Sequence, residues 1–212
     1  MKKNISLLLI VLVLICITSC ASLNNAMTSK ARNNMIEAIE GTNKLSSSDL
    51  ERVKEILDIP GVSVTYDDFS DRYSAYMFDS TSLMASLETK MRVTFSPTDK
   101  NIKSYGIFEV NYYGQGWAFI QSITIRCDGD DFLMDGSSYE TRQVILSSVK
   151  EDARSIIGPE FKAYAKEHFS SNSEIKIRAY GSKGYVDGKI TNSGAKNYVK
   201  FLELLEILEK LN

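Results

Sequence analysis

Between Val62 and Cys127 the apolar residues recur at every second position, and this period of two constrains the fold more than any other feature of the chain. Val62, Val64 and Tyr66 alternate with Ser63 and Thr65, and Tyr73, Ala75 and Met77 repeat the pattern. Met91, Val93 and Phe95 stand against Lys90, Arg92 and Thr94, and Phe108, Val110 and Tyr112 continue it. After Gly114-Gln115-Gly116, the spacing puts Trp117, Phe119, Ile123, Ile125 and Cys127 on one face and Ser122, Thr124 and Arg126 on the other. Successive side chains of a strand point to opposite faces, so each segment has one apolar and one polar side. Turns such as Asp128-Gly129-Asp130-Asp131 join them, which predicts an antiparallel sheet with one buried and one wet face.

On either side the period lengthens to that of a helix. Met35, Ile36 and Ile39 predict a helix over residues 31–40. Ser48-Asp49-Leu50-Glu51 has capping-box spacing, and Val53, Ile56 and Leu57 follow at helical intervals until Pro60-Gly61. Ser148-Val149-Lys150-Glu151 has the same spacing and predicts a helix that is interrupted at Gly158-Pro159 and resumes through Phe161, Tyr164, Ala165 and His168. Ile175, Ile177 and Ala179 then alternate with Glu174, Lys176 and Arg178, and Gly181-Ser182-Lys183-Gly184 turns the chain into Tyr185–Ile190, a hairpin. Thr191, Asn192 and Ser193 offer caps for a long final helix with Tyr198, Phe201, Leu202, Leu205 and Leu208 on its apolar face. The expected fold is α+β: a predominantly antiparallel, sandwich-like β-sheet flanked by several amphipathic helices, forming one globular domain over residues 31–212.

The amino terminus has a different logic. Met1-Lys2-Lys3-Asn4 is positive, Leu7 to Ile17 is apolar apart from Cys16, and Thr18-Ser19-Cys20-Ala21 follows. Charge, apolar run and small residues in that order are the layout of an export signal, and the run is too short to span a bilayer. Ile17-Thr18-Ser19-Cys20 resembles the lipobox of bacterial prolipoproteins. The resemblance implies cleavage between Ser19 and Cys20, a diacylglyceryl group on the Cys20 sulfur and an acyl group on its new amino end. It also implies a lipid-anchored protein of the cell envelope. Ala21, where some bacteria place an inner-membrane retention Asp, favours the outer membrane in a Gram-negative host. Residues 20–30 are small and polar and read as a flexible tether.

Removing residues 1–19 leaves 193 of the 212, enough for a domain with its own core. Of the 25 Lys and Arg, Lys2 and Lys3 leave with the signal. The remaining 23 face 27 Asp and Glu, a charge of −4, which gives nothing to release counterions from a nucleic-acid backbone. Nucleic acid is therefore not an expected partner. Of the three cysteines, the resemblance implies that Cys16 leaves and that Cys20 carries lipid; Cys127 then remains without a partner and, on the apolar side of its strand, reads as a small buried hydrophobe.

The carboxy-terminal half, about residues 117–210 with Arg178-Ala179-Tyr180-Gly181 and a late amphipathic helix, is loosely similar to modules of uncharacterised bacterial envelope proteins. That resemblance rests on pattern and implies no activity.

The search for chemistry assigns no catalytic, cofactor or metal residues. His168 is the sole histidine, on a helical face with Phe161 and Tyr164, and reads as a partly buried structural residue. No Gly-x-Ser-x-Gly elbow accompanies it. Gly181–Lys189 has the glycines and lysine of a phosphate loop, but Ile190 stands where Ser or Thr would meet magnesium and a strand follows, so it reads as a hairpin turn. Gly114-Gln115-Gly116 lacks the third glycine of a dinucleotide fingerprint. Asp128, Asp130, Asp131 and Asp135 miss the order of a calcium loop and read as a solvated turn. Tyr112, Tyr113 and Trp117 could line a ligand surface but read as core. The expectation is a non-catalytic binding or structural module whose partner is an envelope protein, a glycan or a small ligand. The alternative is a carboxylate-dependent, glycan-acting envelope hydrolase, which requires two acids facing one another across a cleft.

Overall fold

A computed structural model describes residues 27–79, 87–97, 102–135, 141–145, 147–171 and 173–212. The export signal, Cys16, Cys20 and residues 21–26 of the expected tether lie outside the described residues.

Among the described residues, ten strands and four helices form the α+β fold that the periodicities predict. The first helix, α1, covers residues 27–41, so it takes up the last four residues of the expected tether. It buries Met35 and Ile39, one turn apart on the same face. Helix α2, Ser47–Leu57, buries Val53, Ile56 and Leu57 as expected, but its cap is Ser46, whose Oγ accepts from Asp49 N–H at 3.1 Å. Three consecutive serines offer the same capping oxygen. The earlier one places Asp49 in the first turn, where it pairs with Lys210 at 2.9 Å.

Strands β1 (Ser63–Asp67), β2 (Arg72–Asp79), β3 (Leu87–Ser96) and β4 (Lys103–Gly114) form a meander. Strands β8 (Ser148–Ile156) and β7 (Thr141–Ile145) complete a six-stranded sheet in the order β1-β2-β3-β4-β8-β7. The register aligns Met77 with Met91 and Met91 with Phe108, one apolar row across three strands. A four-stranded sheet has the order β10 (Gly184–Ile190), β9 (Ile175–Gly181), β5 (Ile120–Cys127) and β6 (Asp130–Asp135). Every pair in both sheets is antiparallel.

Helix α4, Asn192–Glu209, packs on β2, β3 and β4 and carries α2 on another side. Its Tyr198, Phe201, Leu202, Leu205 and Leu208 are all fully buried, as its spacing predicts. Phe108 of β4 meets Tyr198 at 6.0 Å and Phe161 of helix α3 (Pro159–His168) at 5.3 Å, so both helices and the sheet share one core. Among the described residues no helix is long and apolar enough to cross a membrane.

The start of α4 is tied to the end of β2. Thr191 accepts from Gly194 N–H at 2.9 Å and donates its hydroxyl to Asp79 Oδ1 at 2.6 Å, while Thr191 N–H donates to Asp79 Oδ2 at 2.7 Å. Thr191→Ala removes the cap and one bond of the buried carboxylate. It is expected to lower stability by about 1–2 kcal/mol in urea unfolding, and Thr191→Ser to recover most of the loss.

Three expectations are corrected. The segment from Ser148 is strand β8, hydrogen-bonded between β4 and β7, and the helix begins only at Pro159. Val149 and Ala153 are four apart, a spacing that suits one face of a helix and one face of a strand equally. Between them Glu151 occupies an inward position, and this buried charge hides the alternation. Beyond Gly116 the register slips at a bulge between Ile120 and Ser122, so Ile120 joins Ile123, Ile125 and Cys127 in the core while Trp117 and Phe119 stay partly exposed. Tyr66, expected beside Val62 and Val64, is 45% exposed and donates to Asp71 Oδ1 at 2.8 Å in the β1–β2 hairpin.

Candidate functional site: a charged, tyrosine-bearing groove

The wet face of the four-stranded sheet follows from one turn. Gly181 pairs with Gly184, so Tyr180 faces Tyr185, Arg178 faces Asp187 and Lys176 faces Lys189. All six lie on the face away from Ile175, Ile177 and Ala179, which are buried. From β5, Thr124 and Arg126 add to the same face, opposite Arg178 and Lys176. All of these side chains except Tyr185 line a groove of about 430 Å³, and Tyr185 borders it through its contact with Arg178. Gly188 lets β10 lie close to β3, since a side chain there would press on Leu87.

The charges of the groove are held in place. Arg178 grips Asp187 with two bonds, Nε to Oδ1 at 2.6 Å and Nη2 to Oδ2 at 2.8 Å. Its guanidinium lies 4.1 Å from the centre of the Tyr185 ring, a cation–π contact that fixes the plane of the fork. Arg126 grips Asp131 in the same bidentate way, both bonds 2.5 Å. Glu174 sits between Lys189 and Lys176. The bond from Arg178 holds the Asp187 carboxyl below the usual range, and the bond from Arg126 does the same for Asp131. Lys189, then Lys176, lowers Glu174. The acids are therefore ionised at neutral pH, the opposite of the raised carboxyl that a general acid for glycoside cleavage needs.

Four cations (Arg126, Lys176, Arg178, Lys189) line the groove against two acids, Glu174 and Asp187, and Tyr180 and Tyr185 are 41% and 59% exposed. Such a surface offers oriented donors and flat aromatic faces to a polar anionic ligand. The phosphate-loop lookalike is the β9–β10 turn, as expected, and Asp187 and Lys189 from that stretch line the groove.

The other sequence candidates stand elsewhere. Tyr112 is half-buried and donates to Gly116 O at 3.0 Å, whereas Tyr113, 37% exposed, lies beside Lys150 rather than in the core. Asp128 and Gly129 both take positive φ, +53° and +93°, as a two-residue hairpin turn requires, and Asp130 and Asp131 are exposed. The side chain of Asp135 lies outside the described residues. Cys127 is fully buried, and burial raises its thiol pKa. His168 is 9% exposed and its ring lies tilted against that of Tyr164, with centres 4.5 Å apart.

Two buried acids are not legible in the sequence: Asp152 because β8 has the spacing of a helix, and Glu109 because its place opposite Phe108 and Val110 reads as a wet face. Glu109 of β4, 2% exposed, is met by Arg92 at 2.5 Å, Lys90 at 3.4 Å and Arg154 at 3.5 Å. Asp152 of β8 is met by Lys150 at 3.0 Å and by the Thr141 hydroxyl at 2.8 Å. Burial, the largest influence on Lys90, lowers its ammonium pKa even though Glu109 opposes the shift. These pairs stitch β3, β4, β8 and β7 together and turn the charges inward on one another. No protein-family model, no curated protein and no solved structure matches this chain.

Proposed function

We propose that this protein is a lipid-anchored binding module of the bacterial cell envelope, held through Cys20, that takes an acidic glycan in the groove of its four-stranded sheet. The anchor rests on the run from Lys2 to Cys20, since two or more acyl chains make attachment lasting. The ligand class rests on one observation: Arg178, clamped by Asp187 and stacked on Tyr185, stands in a concavity with more cations than acids. Tyrosine faces suit the apolar faces of sugar rings, and fixed guanidinium and ammonium groups suit their carboxylates.

The two halves of the reading are tested separately. Cys20→Ala is expected to leave an unprocessed precursor that takes up no labelled fatty acid; persistent labelling would refute the anchor. Titration with uronic-acid oligosaccharides is expected to give saturable binding that Tyr185→Ala weakens roughly tenfold, as loss of one aromatic anchor does. Neutral oligosaccharides of equal length should bind more weakly. Equal affinity of Tyr185→Ala and the unaltered protein, or no binding of acidic sugars at all, sinks the ligand assignment.

A further inference from the structure

On the opposite side of β5 from the groove, three ligating groups from two elements meet. Cys127 ends β5 with its side chain in the core, Asp128 follows at the first position of the hairpin turn, and His168 ends α3. One ligand atom from each of the three lies within 4.8 Å of the others. The Cys127 sulfur is 3.8 Å from Asp128 Oδ2. Cys127 and His168 are buried whereas Asp128 is exposed, so the cluster reaches solvent on the Asp128 side.

We propose that Cys127, Asp128 and His168 form a binding site for a divalent transition-metal ion, Zn²⁺ by the chemistry of the donors, with a water completing the coordination. Sulfur and oxygen ligands at about 2.3 and 2.0 Å from a tetrahedral zinc stand roughly 3.5 Å apart. The observed 3.8 Å therefore needs only a small closure. A set of one sulfur, one nitrogen and one oxygen favours Zn²⁺ or Co²⁺ over Ca²⁺ and Mg²⁺, which prefer oxygen throughout. Binding replaces the thiol proton, released to solvent, by a metal–sulfur bond.

The surroundings favour a cation. Asp130 Oδ2 is 3.8 Å from His168 Nε2, so a second carboxylate adds negative charge beside the imidazole. The sulfur also lies 3.8 Å from the carbonyl oxygen of His168, at the negative carboxyl end of α3. The groups are rigidly mounted. The Tyr164 ring packs against the imidazole and its hydroxyl lies 3.0 Å from Asp130 O and 3.2 Å from Ile125 O, joining α3 to both strands of the hairpin.

Cobalt is the test probe. Titrating the chelator-stripped mature protein, cleaved before Cys20 and lipidated on it so that Cys127 is its one free thiol, with Co²⁺ is expected to produce a thiolate-to-cobalt charge-transfer band that saturates at a single equivalent and that Zn²⁺ displaces. Cys127→Ser is expected to abolish the band. Because a hydroxyl in the core can itself unfold the chain, Asp128→Asn provides the second arm, since asparagine tolerates the same left-handed backbone. That variant is expected to melt with the unaltered protein in chelator and to bind Zn²⁺ about tenfold more weakly or worse. Absence of the band in the unaltered protein, its persistence in Cys127→Ser, or equal Zn²⁺ affinity in Asp128→Asn overturns the site.

Discussion

Replacing Glu151 with alanine is expected to lower stability by about 3–5 kcal/mol. Glu151 is 3% exposed, and its carboxylate accepts three consecutive backbone N–H groups. These come from Ala118, from Phe119 at 3.0 Å and from Ile120 at 3.1 Å. Consecutive donors can converge on one anion only if the chain curls, and Phe119 accordingly takes a φ of +52°. The carboxylate thus holds the crossing from the six-stranded to the four-stranded sheet, at the place where the β5 bulge begins. Alanine leaves the three donors without their anion and removes the carboxylate that stands 3.7 Å from Arg142. Glu151→Gln keeps the shape and half the acceptors, so its loss should fall at about half that of alanine. Equilibrium urea unfolding measures both. A loss under about 1 kcal/mol for alanine would mean that the crossing is held by packing alone.

Gly181→Ala is the second large effect expected, and its cause is steric. A β-carbon at Gly181 would collide with the carbonyl oxygen of Ala118 and stand 2.7 Å from that of Phe119. Both obstacles are backbone and belong to the crossing that Glu151 fixes, so neither can rotate aside. Ser182 N–H donates to Phe119 O at 3.3 Å and would be pushed off as well. The expected loss is about 3 kcal/mol, at the upper end for an overpacked position. Because Gly181 sits between Tyr180 and the turn to Tyr185, oligosaccharide affinity should fall with it. Gly41→Ala, with open space around the added carbon, is the control, expected within about 0.5 kcal/mol of the unaltered protein. Thermal and urea unfolding of the two variants should separate clearly; equal stability would show that β9 can shift away from the crossing.

How far the sequence could be read depended on how local each signal was. The groove is legible as a hairpin, because Gly181 to Gly184 sets a register from which the facing of Arg178 and Asp187 follows by counting. That the groove is concave, and that Thr124 and Arg126 border it, was not legible, because this depends on β5 lying beside β9. Strand β8 was hidden because its inward positions hold Val149, Glu151 and Ala153, and a buried glutamate breaks the rule by which strands are recognised. The same charge that misled the periodicity is the one on which the sheet crossing depends. His168 and Cys127 were each legible as buried residues from the faces they occupy, yet nothing local places one beside the other.

The sequence alone determined the antiparallel strands, the hairpins and the apolar face of α4, because side-chain period and turn chemistry act over a few neighbouring residues. Tertiary structure decided the rest. It paired β8 with β4, seated the Glu151 carboxylate on N–H groups more than thirty residues away, and brought the Cys127 sulfur to the end of α3 across 41 residues. Those contacts form only when the core closes, since a buried charge or thiol finds its partners through the packing of whole sheets and helices, and no window of sequence contains both members of the pair.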